Sequence, residues 1–315
     1  MSSYRPFRFG LEVRPAASKD DWAAKARRAE DTGYAILLLP DHLGDHFAPG
    51  PALMAAADVT TTLRLGSYVF DNDFRHPVVL AKEAATIDVL TGGRFELGLG
   101  AGWRASEYQQ AGIPFDAASV RVERTEETLR IIKGLFSDGP VDFTGKYYTI
   151  THLEGFPKPV QRPHPPILIG GGSKRMLSIA GHEADIVSLN FRARESGRVD
   201  MTSMEQKLTW VRQAAGDRFN DLELNLHTFA VVVTDRPQEA AQQVATFMRA
   251  FIRATEGDAI TAEQVLASPH FLIGSVDQIS EELLSYREKY GISYITVHEK
   301  DMDAFTPVMA RLAGK

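Results

Sequence analysis

A repeating alternation constrains this chain more than any other feature. Short aliphatic runs of strand length are followed, again and again, by segments whose apolar residues recur at helical spacing. A strand apolar on both faces, followed by an amphipathic helix, is the pattern of a parallel βα unit, because the crossover helix covers one face of the sheet. Phe7 to Arg14, Ala35 to Leu39, Leu63 to Phe70 and Phe95 to Gly102 read as the first four strands. Ser18, three residues before Asp21, caps a helix bearing the Trp22, Ala26, Ala29 stripe, and Gly33 closes it. Pro77 opens another, with Leu80, Ala84 and Ile87 inward, and Thr91, Gly92 and Gly93 stop it.

The rhythm is then interrupted by a long charged helix over roughly Val120 to Phe136, a hairpin-like stretch from Val141 to Ile150, and a proline-rich connector from Phe156 to Pro166. It resumes with strands at Ile167 to Gly171, Asp185 to Asn190, Leu222 to Val233 and Tyr294 to His298. Helices are expected at Lys174 to His182, Met204 to Ala214, from Pro237 onward, and at Asp277 to Tyr290, which Gly291 caps. Phe247 with Phe251, and Tyr286 with Tyr290, stand at helical spacing and read as core. About eight such strands close a (β/α)₈ TIM barrel, with an open doubly wound sheet as the rival architecture. Because the alternation resumes after the connector, residues 1–315 read as one domain with an insertion between strands 4 and 5.

Composition narrows the function classes. Hydrophobic residues at 44% and charged residues at 24% are ordinary globular usage and exclude a disordered or coiled-coil chain. With 35 basic against 41 acidic residues, the net charge of −6 gives no field for a polyphosphate, so no nucleic-acid partner is expected. Without cysteine there is no disulfide, thiolate metal site or cysteine nucleophile. No apolar run has membrane-span length, and Met1 to Pro15 contains no signal-type core, so the expectation is a cytoplasmic protein with a small-molecule substrate.

Four segments carry candidate chemistry. Gly98, Gly100 and Gly102 lack the dinucleotide fingerprint, since Trp103 stands where it needs glycine; alternate glycines at a strand end either admit a flat ligand or fill a tight barrel corner. Gly170, Gly171 and Gly172 lead into a helix that Ser173 can cap, an arrangement that holds a phosphate or is a plain turn; the Walker pattern is missing. Asp41-His42 and Asp45-His46 look like metal ligands, but the strand-one end (Val13, Arg14) and the strand-five end (Gly170, Gly171) offer no partner, so no metal is expected. Either this is a solvated loop, or His42 is a proton donor at the catalytic end of a strand. His76 reads as structural, ahead of Pro77, with Arg75 at the rim of the site.

In order, Leu39-Pro40-Asp41-His42, Leu65-Gly66-Ser67-Tyr68-Val69, Phe74-Arg75-His76-Pro77, Gly92-Gly93-Arg94 with Leu97-Gly98-Leu99-Gly100-Ala101-Gly102-Trp103, Gly112-Ile113-Pro114-Phe115, Pro166 to Gly172 and Ile273-Gly274-Ser275 resemble the luciferase-like monooxygenase superfamily. Within it they resemble the oxidoreductases that use the deazaflavin coenzyme F420. The resemblance implies a homodimeric TIM barrel with an insertion between strands 4 and 5 and a deazaflavin, or alternatively FMN, across its C-terminal mouth. It makes His42, with Asp41 beside it, the acid/base group. It lays the cofactor against Asp41, His42, Ser67, Tyr68, Val69, Gly100, Gly102, Gly170, Gly171, Gly172, Ser173 and Asn190, with an irregular, cis peptide at Ser67–Tyr68 or the adjoining bond. The implied activity is hydride transfer to or from a small organic molecule. The alternatives are a monooxygenase using reduced FMN and oxygen, and a non-catalytic flavin-binding barrel. Trp103 stands where related sugar-phosphate dehydrogenases carry Glu, which argues against a sugar phosphate.

Overall fold

A computed structural model describes residues 5–191, 199–200, 202–251 and 260–313. Eight strand positions alternate with helices: β1 (Arg8–Glu12), β2 (Ile36–Leu39), β3 (Arg64–Ser67), β4 (Phe95–Gly100), β5 (Ile167–Gly171), β6 (Ile186–Leu189), β7 (Glu223–His227) and β8 (Ile292–His298). Each pairs in parallel with the next, and β8 returns to β1 with Arg8 opposite Tyr294 and Glu12 opposite His298, so the sheet closes on itself. The expected TIM barrel is therefore present, and the open sheet is excluded. Around it lie α1 (Lys19–Asp31), α2 (Pro49–Ala57), α3 (Pro77–Leu90), α4 (Ala105–Ala111), α5 (Ala118–Phe136), α6 (Lys174–Glu183), α7 (Met204–Ala215), α8 (Pro237–Phe251), α9 (Ala262–Ala267), α10 (Val276–Tyr290) and α11 (Met302–Leu312). Among the described residues no helix is long and apolar enough to cross a membrane.

Two layers of burial hold the barrel. Outside it, apolar residues such as Leu11, Leu37, Leu65, Leu97, Ile169, Val187 and Leu226 pack under the helices. Inside, Ile36, Leu38, Tyr68, Leu168, Ile186 and Tyr294 fill the lumen. Its N-terminal end is plugged by charge. Arg8 donates to Glu223 at 2.7 Å, Arg64 donates to Glu96 at 2.6 Å, and Arg8 also pairs with Glu96 while lying over the Tyr294 ring. Burial opposes ionisation of Glu96, but the two guanidiniums outweigh it and hold its carboxyl below the usual value. With the bottom sealed, the C-terminal end is the one left for a ligand.

Several sequence boundaries move. The third strand breaks after Ser67 and resumes as Phe70–Asp71, and the fourth ends at Gly100, because Gly102 turns out with φ +71°. Leu222 to Val233 is not one strand. β7 ends at His227, the Phe229 N–H turns away to the His270 carbonyl, and Ala230–Val233 pairs with Phe271–Gly274 in a separate parallel ribbon. Val231 N–H also donates to Asp301. This ribbon, α8 and α9 share a small core of their own. There Ala240, Ala241, Ala245 and Met248 take the inner face of α8, whose small residues permit close approach, so Phe247 and Phe251 are left 58% and 57% exposed, stacked on each other. Tyr286 and Tyr290, by contrast, pack against the main core as expected. The expected hairpin is present as Pro140–Thr144 against Thr149–Glu154, between β4 and β5.

Candidate active site

The ends of β2 and β4 assemble the first group. β2 is buried throughout and ends at Leu39, so the following Asp41-His42 emerges directly at the mouth. His42 Nδ1 lies 2.9 Å from Glu107 Oε2, and Arg104 donates to the other Glu107 oxygen at 2.6 Å. Burial works against the Glu107 charge, while His42 and Arg104 outweigh it and keep the carboxyl below its usual range. A carboxylate accepts only, so His42 Nδ1 carries a proton and Nε2 is the nitrogen left open. Trp103, 57% exposed, stands edge-on to the His42 ring at 5.9 Å. The His46 ring is 5.0 Å from that of His42, and burial pushes His46 down, so it adds no charge there.

Asp41 turns the other way. Its carboxylate pairs with both terminal nitrogens of Arg75 and accepts the Asp71 N–H at 3.1 Å, and the residue is buried. That is the geometry of a brace for the loop rather than of a proton carrier. Arg75 thus reaches the rim as expected, and His76 caps α3 by accepting from Val78 N–H. Behind the brace, Asp71 accepts from the Tyr108 hydroxyl at 2.6 Å and from Asp73 N–H at 3.0 Å. Burial pushes the Asp71 carboxyl up to about 6.

The end of β3 carries a bulge whose cis peptide, non-prolyl, lies between Tyr68 and Val69, the bond adjoining Ser67–Tyr68. Ser67 Oγ donates to Gly98 O at 2.8 Å and accepts Gly98 N–H at 3.0 Å, so its hydroxyl pins the bulge to β4. The β4 glycines make room for it. A Cβ on Gly98 would stand 2.0 Å from the Ser67 carbonyl oxygen, one on Gly100 2.6 Å from Val69, and one on Gly102 2.0 Å from the Tyr108 hydroxyl. Of the two readings of these glycines, the space is thus taken by the protein's own atoms. Tyr68 points down into the barrel, where its hydroxyl donates to Asn190 Oδ1 at 2.9 Å and touches Ser188; Ser188 donates to Asn225, and Asn225 to Thr296 Oγ1. These groups make a polar floor beneath the mouth. Phe70 is fully buried core.

At the end of β5, Ser173 caps α6 by accepting from Met176 N–H, as expected. The first turn carries Lys174 and Arg175 and no acidic residue, and its leading N–H groups have no intrahelical acceptor. Asn190 N–H donates to Gly171 O, which ties the ends of β5 and β6 together.

The sequence reading missed a third group. Strand one ends in a carboxylate, Glu12, and not in Val13 or Arg14; it faces His227 from the end of β7 (Nε2 to Oε2, 2.9 Å) and His298 from the end of β8 (Nδ1 to Oε1, 3.3 Å). Burial opposes the Glu12 charge, yet His298 and His227 hold its carboxyl far below the usual range, while burial pushes His227 down. The His227 ring lies 4.9 Å from Tyr68. The available signal was a titratable residue as the last residue of a strand at the catalytic end of a barrel, which Glu12, His227 and His298 all are.

Against known proteins, the model of the luciferase-like monooxygenase family matches residues 1–293. The chain is 24% identical to the 5,10-methylenetetrahydromethanopterin reductase of Methanopyrus kandleri over 314 residues, covering 95% of this chain and 84% of that protein. It is 30% identical to an FMNH(2)-dependent dimethylsulfone monooxygenase of Pseudomonas putida over 169 residues, 54% of this chain, and so spans less than half (44%) of that relative. An F420-dependent secondary alcohol dehydrogenase, solved with an F420-acetone adduct, superposes with a TM-score of 0.76 at 18% identity over 98% of this chain and 99% of its own, a likeness of fold.

Proposed function

The chain belongs to the luciferase-like monooxygenase family, whose members are oxidoreductases, and on that premise we propose that it transfers a hydride between coenzyme F420 and a small organic substrate at the barrel mouth. The observation that carries this reading is His42, fixed through Nδ1 by Glu107 and left with Nε2 open beside an exposed tryptophan. Reduction of a carbonyl or oxidation of an alcohol moves a proton along with the hydride, and an imidazole with one ring nitrogen open to the mouth can give or take it. Relatives support the choice of cofactor. The relative matched over 95% of this chain is named a methylenetetrahydromethanopterin reductase, and the dehydrogenase sharing the fold is named F420-dependent.

The residues at the mouth fit such a group. The capped start of α6, whose own first turn carries Lys174 and Arg175 and no acidic residue, suits its phosphate, with Arg175 also paired to Glu123 at 3.0 Å. Ser67, pinned to β4, holds the Tyr68–Val69 bulge as a fixed wall for the ring. When bound, a deazaflavin supplies a two-electron hydride centre that reacts poorly with oxygen. The protein's part is then to orient the substrate under Trp103, exclude water, and hold or give the proton at His42 Nε2. The 30% identity to an FMNH(2)-dependent monooxygenase favours a second reading, reduced FMN with oxygen. Titrating purified protein with F420, FMN and reduced FMN, then following oxidation of reduced F420 against carbonyl and unsaturated compounds, separates the two. Tight preference for the flavins overturns the proposal.

A further inference from the structure

We propose that Glu12, His227 and His298 bind one divalent first-row metal ion of the zinc type at the barrel mouth. Among the described residues they are the one group of three His or carboxylate side chains whose ligand atoms all converge within 4.8 Å. The fold sets this convergence. β7, β8 and β1 are consecutive in the barrel, Glu12 stands opposite His298 in the parallel register, and His227 stands opposite Thr296, two residues earlier on β8.

The distances are close to those of a coordination shell. A tetrahedral ion with bonds of about 2.0–2.1 Å needs its ligand atoms about 3.3 Å apart. His298 Nδ1 lies 3.3 Å from Glu12 Oε1 and His227 Nε2 lies 2.9 Å from Glu12 Oε2, with all the ligand atoms within 4.8 Å of one another, so side-chain adjustment alone brings them to an ion. Two imidazoles and one carboxylate form a borderline donor set that suits zinc, cobalt or iron(II), and not calcium or magnesium, which take oxygen. Both Glu12 oxygens face imidazoles, and no Lys or Arg pairs with this carboxylate among the described residues, so the two rings are the side chains that compete with an ion for it.

The surroundings hold the ligands in place without closing the site. The His227 carbonyl is engaged by His270 Nδ1 at 2.8 Å, and the His227 ring lies 4.8 Å from that of His298 and 4.9 Å from that of Tyr68. The three side chains are 14–21% exposed, so an ion has a route in. Three protein ligands leave at least one coordination position for water or for an oxygen donor of a substrate.

The test uses the full chain, stripped with a chelator and titrated with Zn²⁺ by calorimetry and with Co²⁺ by visible absorption. One ion per chain is expected, with tetrahedral Co²⁺ bands. Glu12→Gln and His298→Gln should each weaken binding at least tenfold, while His182→Gln, on the exposed last turn of α6, should not. His298 sits at the very end of its strand, so its variant keeps the test valid should Glu12→Gln fail to fold. Absence of saturable one-to-one binding, or binding that His298→Gln leaves unchanged, overturns the proposal.

Discussion

His42 Nδ1 and Glu107 Oε2 meet at 2.9 Å although 65 positions separate them in the chain. One residue follows β2 and the other lies on α4, after β4, so the pair exists only because the barrel brings alternate strand ends to one rim. The orientation of the His42 ring at the mouth is therefore a product of topology as well as of the Asp-His motif.

His42→Ala should lower turnover by roughly 10²-fold or more while leaving F420 affinity within a few-fold, because a proton donor acts in the transition state. Glu107 acts through His42, so Glu107→Gln should lower kcat by about tenfold with little change in KM. Steady-state kinetics with F420 binding by fluorescence decides it. Unchanged kcat in His42→Ala would move the proton role to another group.

The glycine-rich strand makes a stability prediction. Ala at Gly98 would press its Cβ into the Ser67 backbone, a contact of 2.0 Å that no side-chain rotation relieves. Overpacking of this kind costs about 1–3 kcal/mol, and here it would also displace the bulge. Gly50→Ala, on α2, where nothing lies within 4 Å, should be neutral or slightly stabilising. Thermal midpoints of the two variants check this, and equal midpoints would show that the bulge is free to move.

Asp71 predicts a pH dependence. Its carboxyl is raised from 3.8 to about 6, mainly by burial. Between those values the folded protein holds a proton that the unfolded chain has released, so this group makes stability fall as pH rises through the window. The slope integrates to at most about 3 kcal/mol. Asp71→Asn keeps the acceptor oxygen for Tyr108 and Asp73 and removes the titration. Denaturant unfolding from about pH 4 to pH 7 should show the wild type losing stability relative to Asp71→Asn; parallel profiles would sink the assignment.

The barrel was legible because its signal is local and repeated: each aliphatic run and each capped helix, such as Ser18 before Asp21, states its own type. The break after His227 was not, since no Gly or Pro marks it and the turn is made by distant groups, His270 and Asp301. Phe247 and Phe251 misled because helical spacing fixes a shared face but not which face is buried. At the site, His42 and Ser173 announced themselves by motif. Glu12, His227 and His298 lie 286 positions apart from first to last and share no motif, so only the closed register brings them together.

The start of α6 yields the last prediction. Gly172 is buried just ahead of the Ser173 cap, where the leading N–H groups, the positive end of the helix dipole, Lys174 and Arg175 share one turn. If the cofactor's phosphate sits there, Gly172→Asp places a carboxylate against it in a partly desolvated position. F420 binding should then weaken by several kcal/mol, from like-charge repulsion added to lost backbone contacts. Without cofactor the thermal midpoint should fall far less, because an acidic side chain near a helix start is itself favourable. Measuring both separates a phosphate site from a structural turn. A variant that binds F420 as tightly as its parent would make Gly170, Gly171 and Gly172 only a turn, and would send the phosphate to the ends of β7 or β8, where barrels in general hold one.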